Sequence, residues 1–374
     1  MKSLLLAATM IPIIYASAQD TDDQIKDLQA QIREIRVMAE SRQVGAQSPA
    51  GYPKIEDAIG LRFELGGMYQ NAVLGGSEYA TIYRALNDVD NPCIFSQKVY
   101  QPEAKMGWGV SGAMSYFCKE HGYEIKLRNS YYDLATSSYI SVPYPIFDSA
   151  IQATSCIETC GQELFFVSAN SKLDITYDLL GLELQKSFYL NRFFSVDMMG
   201  GILASWMWLT QNKKFDSMDF NIELDQYMHI RDHSYWFGIG PELGLNLNFS
   251  IGKGFSIFFN NTGALMYGKF DIEYQQTEKF YFEESEEYEV YDQYTEAADH
   301  RIIPYIQSFI GLAYELFAGD DKNFIKMRAG YNAQYFISAN TMIRPDGYPF
   351  NFRINRLSEN LQTQGLLFDL AWSF

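Results

Sequence analysis

The chain of 374 residues is long enough for one large domain or two ordinary ones. Aromatic residues make up 16% of it, yet the mean hydropathy is only −0.18, so its apolar residues alternate with polar ones instead of forming long runs. The net charge of −17 argues against a nucleic-acid partner, which would need a basic surface.

Residues 1–18 have the pattern of a secretory signal peptide. Lys2 supplies a positive start, residues 4–14 are apolar, and Ala16-Ser17-Ala18 is a small-residue cleavage site. We predict cleavage before Gln19. The apolar stretch is shorter than the roughly 20 residues of a spanning helix, so the mature protein is expected to enter the periplasm without a helical anchor.

Residues 19–44 are predicted to form a short periplasmic coiled-coil helix. Apolar residues recur there at spacings of three and four, and charged residues fill the other faces. The positions that would mediate oligomerisation are Ile25, Leu28, Ile32 and Ile35. Isoleucine at these positions favours three or more strands, so a homo-oligomer, guessed to be a trimer, is expected. The alternative is a lone amphipathic helix that lies on the barrel or in its mouth. Residues 45–58 are read as a linker.

From residue 59 to residue 374 the hydrophobic period is two. In residues 235–251 every second residue is apolar or proline, and this run is far longer than the usual soluble strand of about 5–6 residues. A tilted membrane strand needs about 9–11 residues within the hydrocarbon. The sequence therefore predicts an all-β fold, a transmembrane antiparallel β-barrel in an outer membrane, with lipid outside and a wet interior.

Ten strands are predicted, with 8–12 considered possible. Their connections alternate between short turns and long segments, the layout of membrane barrels, and the even number places both termini in the periplasm. The predicted strands are 59–74, 105–118, 121–134, 168–188, 192–210, 233–251, 254–273, 301–317, 322–339 and 361–374.

The C-terminal strand ends the chain on an aromatic residue. Phe368, Leu370, Trp372 and Phe374 share one face, which is typical of the signal read by the barrel assembly machinery. An alternative is one more strand that happens to end the protein.

Two of the four cysteines, Cys156 and Cys160, fall in one predicted loop. In an oxidising compartment a local disulfide between them is possible, although spacing alone does not fix connectivity. A zinc site is a poor rival because no histidine lies nearby.

Charged residues on the predicted inner face are expected to line the lumen. They are the bases Arg62, Lys105, Lys126, Arg128, Lys326 and Arg328 and the acids Asp174, Asp178, Asp197 and Glu242. Bases and acids would lie on opposite sides of the lumen and place a transverse field across a passage. Alternatively, they pair with one another and fill a narrow barrel.

The predicted long segments allow two further hypotheses. Residues 273–299 are acidic and are read as a solvated loop, whose aromatic residues Tyr281, Phe282, Tyr288, Tyr291 and Tyr294 suit host-surface contact. An omptin-like hydrolase would need histidines and acids at the outer rim, where Asp225, His229, Asp232 and His233 occur, and the two histidines could also bind a metal. A polar loop is the simpler interpretation, so no catalytic residue, cofactor or metal is predicted.

Four segments resemble the Legionella-type major outer membrane protein family, which also occurs in environmental relatives of the chlamydiae. They are GIGPELG at 238–244, LMYG at 265–268, AGYNAQYF at 329–336 and GLLFDLAWSF at 365–374. The resemblance covers most of residues 20–374, and that family also has a short coiled coil ahead of its barrel. It implies an abundant pore-forming surface protein that passes small hydrophilic solutes and ions, and it supplies no catalytic residues. A surface adhesin or structural protein is the alternative.

Overall fold

A computed structural model describes the barrel part of the chain. The described residues are 60–85, 95–118, 122–142, 149–153, 166–191, 193–217, 226–282, 287–318, 323–346 and 353–373. The predicted signal peptide, coiled-coil helix, linker and Cys156–Cys160 pair lie outside them. None of the described residues belongs to a helix long and apolar enough to cross a membrane.

Ten antiparallel strands form a closed barrel. Each strand pairs with two neighbours. The first barrel strand pairs with the next one along the chain and also with the last one, and this second pairing closes the barrel. These strands are β1 (Leu61–Leu74), β4 (Met106–Cys118), β5 (Tyr123–Ser141), β7 (Ser168–Tyr189), β8 (Phe194–Ser217), β9 (Gln226–Gly252), β10 (Phe255–Phe282), β11 (Glu287–Ala318), β12 (Asn323–Asp346) and β13 (Arg353–Ser373). The prediction of a ten-strand antiparallel barrel is confirmed.

The alternation of side chains separates two faces of the wall. On β9, Trp236 and Glu242 are 1% exposed, whereas Leu243, the residue directly after Glu242, is 72% exposed. Leu65 and Trp108 are each 71% exposed on the same outer surface. An apolar band of this extent is unfavourable in water and is stable where it meets hydrocarbon.

Three short strands form a second sheet at one end of the barrel. They are β2 (Ala80–Ala85), β3 (Phe95–Tyr100) and β6 (Ser149–Ala153), in the order β3-β2-β6. We call this sheet the cap and its end of the barrel the loop end; the opposite end, where the links between strands are short, is the turn end. Ile82 and Ile151 of the cap belong to the same buried apolar cluster as inward-facing residues of the wall.

Hydrogen bonds fasten the residues leading into the cap to the wall. Gln211 donates to the Ser77 carbonyl oxygen at 2.7 Å, and Asn340 donates to the Gly75 carbonyl oxygen at 2.7 Å. Tyr79 is fully buried, and its hydroxyl lies 3.1 Å from that of Ser138. The cap therefore fills the loop end of the lumen instead of projecting into solvent.

Several segments predicted as long loops contain strand. Residues 211–217 extend β8 and residues 226–232 extend β9, because the wall continues well beyond its apolar band. The acidic stretch 273–299, predicted to be a solvated loop, is largely a paired hairpin of β10 and β11. Acidic residues are tolerated in these strands because successive side chains point to opposite faces of the hairpin, and each has a cross-strand neighbour.

The turn between β9 and β10 illustrates why the short links were recognisable in the sequence. Gly252, Lys253 and Gly254 all have positive φ angles, of 115°, 52° and 82°. Glycine adopts this region without steric cost, so the Gly-Lys-Gly sequence is suited to a tight reversal between strands.

Candidate functional site in the barrel lumen

The turn-end half of the lumen contains a polar cavity of about 140 Å³. This volume has room for roughly four or five water molecules at about 30 Å³ each. Charged side chains from β1, β5, β7, β8, β12 and β13 line it, because the inward positions of these strands are polar near the turn end. They are Arg62, Glu64, Glu124, Lys126, Arg128, Glu183, Asp197, Lys326, Arg328 and Asp369.

Glu64 is the centre of one group of these charges. Its carboxylate lies 2.7 Å from Lys126 Nζ, 2.9 Å from an Arg62 guanidinium nitrogen and 3.3 Å from one of Arg328. Arg328 also donates to Asp369 on the neighbouring strand at 2.7 Å. Three strands are thus joined by a single carboxylate, which neutralises cations that few water molecules can reach.

Arg128 is the centre of the second group. Its guanidinium bridges Glu183 on β7 and Glu242 on β9, so it reaches across the inside of β8. Asp197, on the inner face of β8, accepts hydrogen bonds from Asn246 at 2.8 Å and Asn248 at 3.2 Å. The described inner charges are therefore held in contacts with one another and with amides.

An aromatic layer lies directly beyond the cavity toward the loop end. Tyr132, Tyr177 and Phe336 are fully buried and Tyr305 is 1% exposed. The ring of Tyr177 on β7 lies 5.4 Å from that of Phe336 on β12, which is five strands away around the barrel. Tyr132 stacks on Tyr177 at 5.2 Å, and Tyr305 lies 4.7 Å from Phe336. These four rings bridge the lumen from one wall to the opposite wall.

Most of the residues predicted to line the lumen lie on the inner face. Six of them, Arg62, Lys126, Arg128, Asp197, Lys326 and Arg328, border the cavity, and Glu242 is bonded to one of them. Lys105 precedes β4 at the loop end, is exposed, and donates to the Ser137 carbonyl oxygen at 3.3 Å.

Asp174 and Asp178 require a correction, because the structure places them on the outer face. Their neighbours Leu173, Ile175 and Tyr177 are at most 3% exposed and face inward. Asp174 instead forms an exposed ion pair with Lys172 at 3.0 Å. The inward side of β7 is apolar here because it meets the cap and the aromatic layer, so polarity does not identify the inner face.

Five carboxylates around the cavity were not among the predicted site residues. They are Glu64, Glu124, Glu183, Glu315 and Asp369. Glu64 and Glu124 share the parity of Arg62 and Lys126, so alternation does place these two acids on the inner face, among the bases. Alternation does not identify Glu183, because the residues of the same parity on β7, such as Leu173 and Ile175, are apolar and predict a lipid-facing side.

The residues considered for hydrolysis or metal binding are not brought together. Asp232 faces inward and forms a buried ion pair with Lys213 at 2.8 Å. His229 and His233 lie on the outer face, and four residues of strand separate them by about 13 Å. Asp225 lies outside the described residues. A spacing of four would suit a metal on a helix, whereas in a strand it holds the rings too far apart.

The predicted assembly residues Phe368, Leu370 and Trp372 lie on the outer face of β13 and are 42–52% exposed. Phe374 lies outside the described residues.

Comparison with known proteins assigns the chain to a family. The model of the Legionella pneumophila major outer membrane protein precursor matches residues 52–374, which include the whole barrel. The chain belongs to this family. It is an outer-membrane protein, and its exposed apolar band is the surface that meets the lipid.

The chain is also similar to solved outer-membrane structures. The outer membrane protease OmpT from Escherichia coli has a TM-score of 0.35 at 8% identity, covering 86% of this chain and 98% of that one. A Pseudomonas aeruginosa FadL homologue has a TM-score of 0.28 at 9% identity, covering 85% and 90%. The Pseudomonas putida toluene transporter TodX has a TM-score of 0.24 at 9% identity, covering 87% and 92%. No curated protein matches significantly. At these TM-scores the structures carry no argument about function.

Proposed function

We propose that this protein is a narrow outer-membrane pore for ions and small hydrophilic solutes. The polar, charge-lined cavity within the closed barrel carries this proposal. Burying so many charged groups is costly unless they are paired, and an apolar filling would stabilise a barrel at least as well. A water-containing passage gives these side chains a functional reason to be there.

The aromatic layer is the gate in this proposal. With Tyr177 reaching Phe336, the lumen is blocked beyond the cavity, and the cap packs on the far side of the rings. Passage requires the rings, and the cap residues above them, to move. We therefore expect the wild-type protein to open rarely and to show a small conductance when open.

The charges of the lumen support weak cation selectivity. In the turn-end half of the lumen, seven carboxylates accompany five cations, for a formal charge of −2; they are Glu64, Glu124, Glu183, Asp197, Glu242, Glu315 and Asp369, with Arg62, Lys126, Arg128, Lys326 and Arg328. A ring of charge favours counter-ions in a narrow pore.

Single-channel recording of refolded protein in planar bilayers tests the proposal. Tyr177→Ala should increase conductance or open probability because it removes the ring that crosses the lumen. Tyr131→Ala is the matched control, since Tyr131 is 41% exposed on the outer face. The reversal potential in a salt gradient should indicate a preference for cations. Absence of current from folded wild-type protein and from Tyr177→Ala would refute the pore.

Surface attachment is a second candidate, supported by the β10–β11 hairpin. Near its tip Tyr288 and Val290 are 42% and 56% exposed, and Tyr294 is 58% exposed. Exposed aromatic residues among acids suit protein contact. Deleting residues 280–290 should abolish whole-cell attachment and leave conductance unchanged; retained attachment would exclude this role for the hairpin. An enzyme is not proposed, because His229 and His233 lie on the face opposite to Asp232.

A further inference from the structure

A cationic patch lies on the outer wall, beyond the apolar band toward the loop end. Two rows of outward-facing residues cross β7 to β10 there, and neighbours within each row are paired in the sheet. The first row is Asn170, Lys214, His229 and Thr277, and the second is Lys172, Asn212, Arg231 and Gln275. We call these eight residues the outer patch.

The outer patch contains three permanent cations and no carboxylate. Lys172, Lys214 and Arg231 are exposed, and the patch borders a surface depression of about 380 Å³. Three carboxylates border the patch: Asp174 and Asp216 pair with Lys172 and Lys214, and Asp292 accepts a hydrogen bond from Thr277 at 2.7 Å.

The acids around the patch leave its cations available. Lys172 pairs with Asp174 at 3.0 Å and Lys214 with Asp216 at 3.2 Å, and all four side chains are 32–58% exposed. Exposed pairs of this kind are weak, so an anion with higher charge density can replace the carboxylate. Among the described residues Arg231 has no acidic partner within ion-pair distance, which leaves its guanidinium free to bind a phosphate through two hydrogen bonds.

The height of the patch identifies its environment. On β8 and β9 the apolar band ends with Trp208 and Tyr235, whose rings lie 5.5 Å apart, as in the aromatic girdle of membrane barrels. Arg231 lies four residues beyond Tyr235, which at a strand tilt of about 40° places it roughly 10 Å above the edge of the hydrocarbon. Lipid head groups occupy this level, next to the wall.

We propose that the outer patch binds the phosphate groups of a phosphorylated, acylated glycolipid of the outer leaflet. The acyl chains of such a lipid would lie against the apolar band of β8 and β9. Its phosphates would reach Lys214 and Arg231, with Lys172 at the side. Because the patch is on the outer wall, the bound lipid leaves the lumen unobstructed, and this inference does not depend on the pore.

Native mass spectrometry of the refolded full-length protein, with diphosphoryl lipid A added in detergent, tests the proposal. The variant Lys214→Gln plus Arg231→Gln should bind about 30-fold more weakly, the factor expected for two cations beside an anionic membrane surface. The control Lys186→Gln plus Lys253→Gln removes the same charge near the turn end and should bind like the wild type. Heat-dependent mobility on gels shows that each variant is folded.

Two further ligands distinguish the sources of phosphate. Monophosphoryl lipid A should bind more weakly than the diphosphoryl form, and inorganic phosphate at millimolar concentration should not displace lipid. Equal binding by both double variants, or by the diphosphoryl and monophosphoryl forms, would overturn the proposal. Displacement by inorganic phosphate would also overturn it, because the patch would then be a general anion site.

Discussion

Glu64 offers the sharpest test of how the lumen is stabilised. Its carboxylate contacts Lys126, Arg62 and Arg328 at 2.7, 2.9 and 3.3 Å, and the four side chains are only 9–14% exposed. The substitution Glu64→Gln keeps the shape of the side chain and removes its charge. The three cations then remain in the lumen without the carboxylate that neutralises them.

We expect Glu64→Gln to lower the free energy of unfolding by about 3 kcal/mol. Breaking a buried ion pair by removing one partner costs about 3–5 kcal/mol. The lower end applies because Arg328 keeps Asp369 at 2.7 Å and the neighbouring cavity of about 140 Å³ can hydrate the others. The double substitution Glu64→Gln plus Lys126→Met should recover part of the loss, since it also removes the cation of the shortest contact.

The assay is urea unfolding of protein refolded in lipid vesicles, followed by tryptophan fluorescence. Asp271→Asn is the control, because Asp271 pairs with Lys269 at 2.6 Å where both side chains are about half exposed. Its loss should cost less than about 1 kcal/mol. Equal losses for Glu64→Gln and Asp271→Asn would show that the inner charges are solvated like surface groups, and the argument from burial would be wrong.

Three other outcomes follow from the wall itself. Gly311→Ala should destabilise the barrel by about 1–3 kcal/mol in the same assay, because a Cβ at this position would overlap the backbone of β12; an unchanged midpoint would contradict that packing. Asp174→Cys should react with a membrane-impermeant maleimide on intact cells, and Ile175→Cys should not, when labelling is measured above the wild-type background. The reverse result would mean that Asp174 faces the lumen, as the sequence alone predicts. Lys213→Met should cost about 3–5 kcal/mol in urea unfolding, because it leaves Asp232 buried without its cation at 2.8 Å; a neutral effect would mean that water reaches this carboxylate.

The sequence predicted the number, order and direction of the barrel strands. Alternation in β9 from Tyr235 to Ile251 is imposed by a wall between lipid and a polar interior, so the pattern is present in the residues themselves. The seven predicted lumen charges found on the inner face belong to strands of this kind, near the turn end. Turns such as Gly252-Lys253-Gly254 are local, and glycine marks them.

The sequence did not reveal the cap or the aromatic layer. Strands β2, β3 and β6 contain only five or six residues each, and β6 begins 64 residues after the end of its partner β2. No local pattern relates such segments. Tyr177 and Phe336 meet only because the barrel closes, which brings opposite walls within reach of two rings.

The amino-acid sequence alone thus determined that a barrel forms and which residues face lipid where the wall crosses the membrane. Tertiary structure decided what fills the interior. Where the cap packs inside the wall, apolar residues such as Ile175 point inward and Asp174 points to solvent. The hydrophobic period is still two there, but the apolar face is the inner one instead of the lipid-facing one. A period of two shows that the two faces of a strand differ in polarity. Which face is the inner one depends on whether water or apolar side chains fill the lumen at that level.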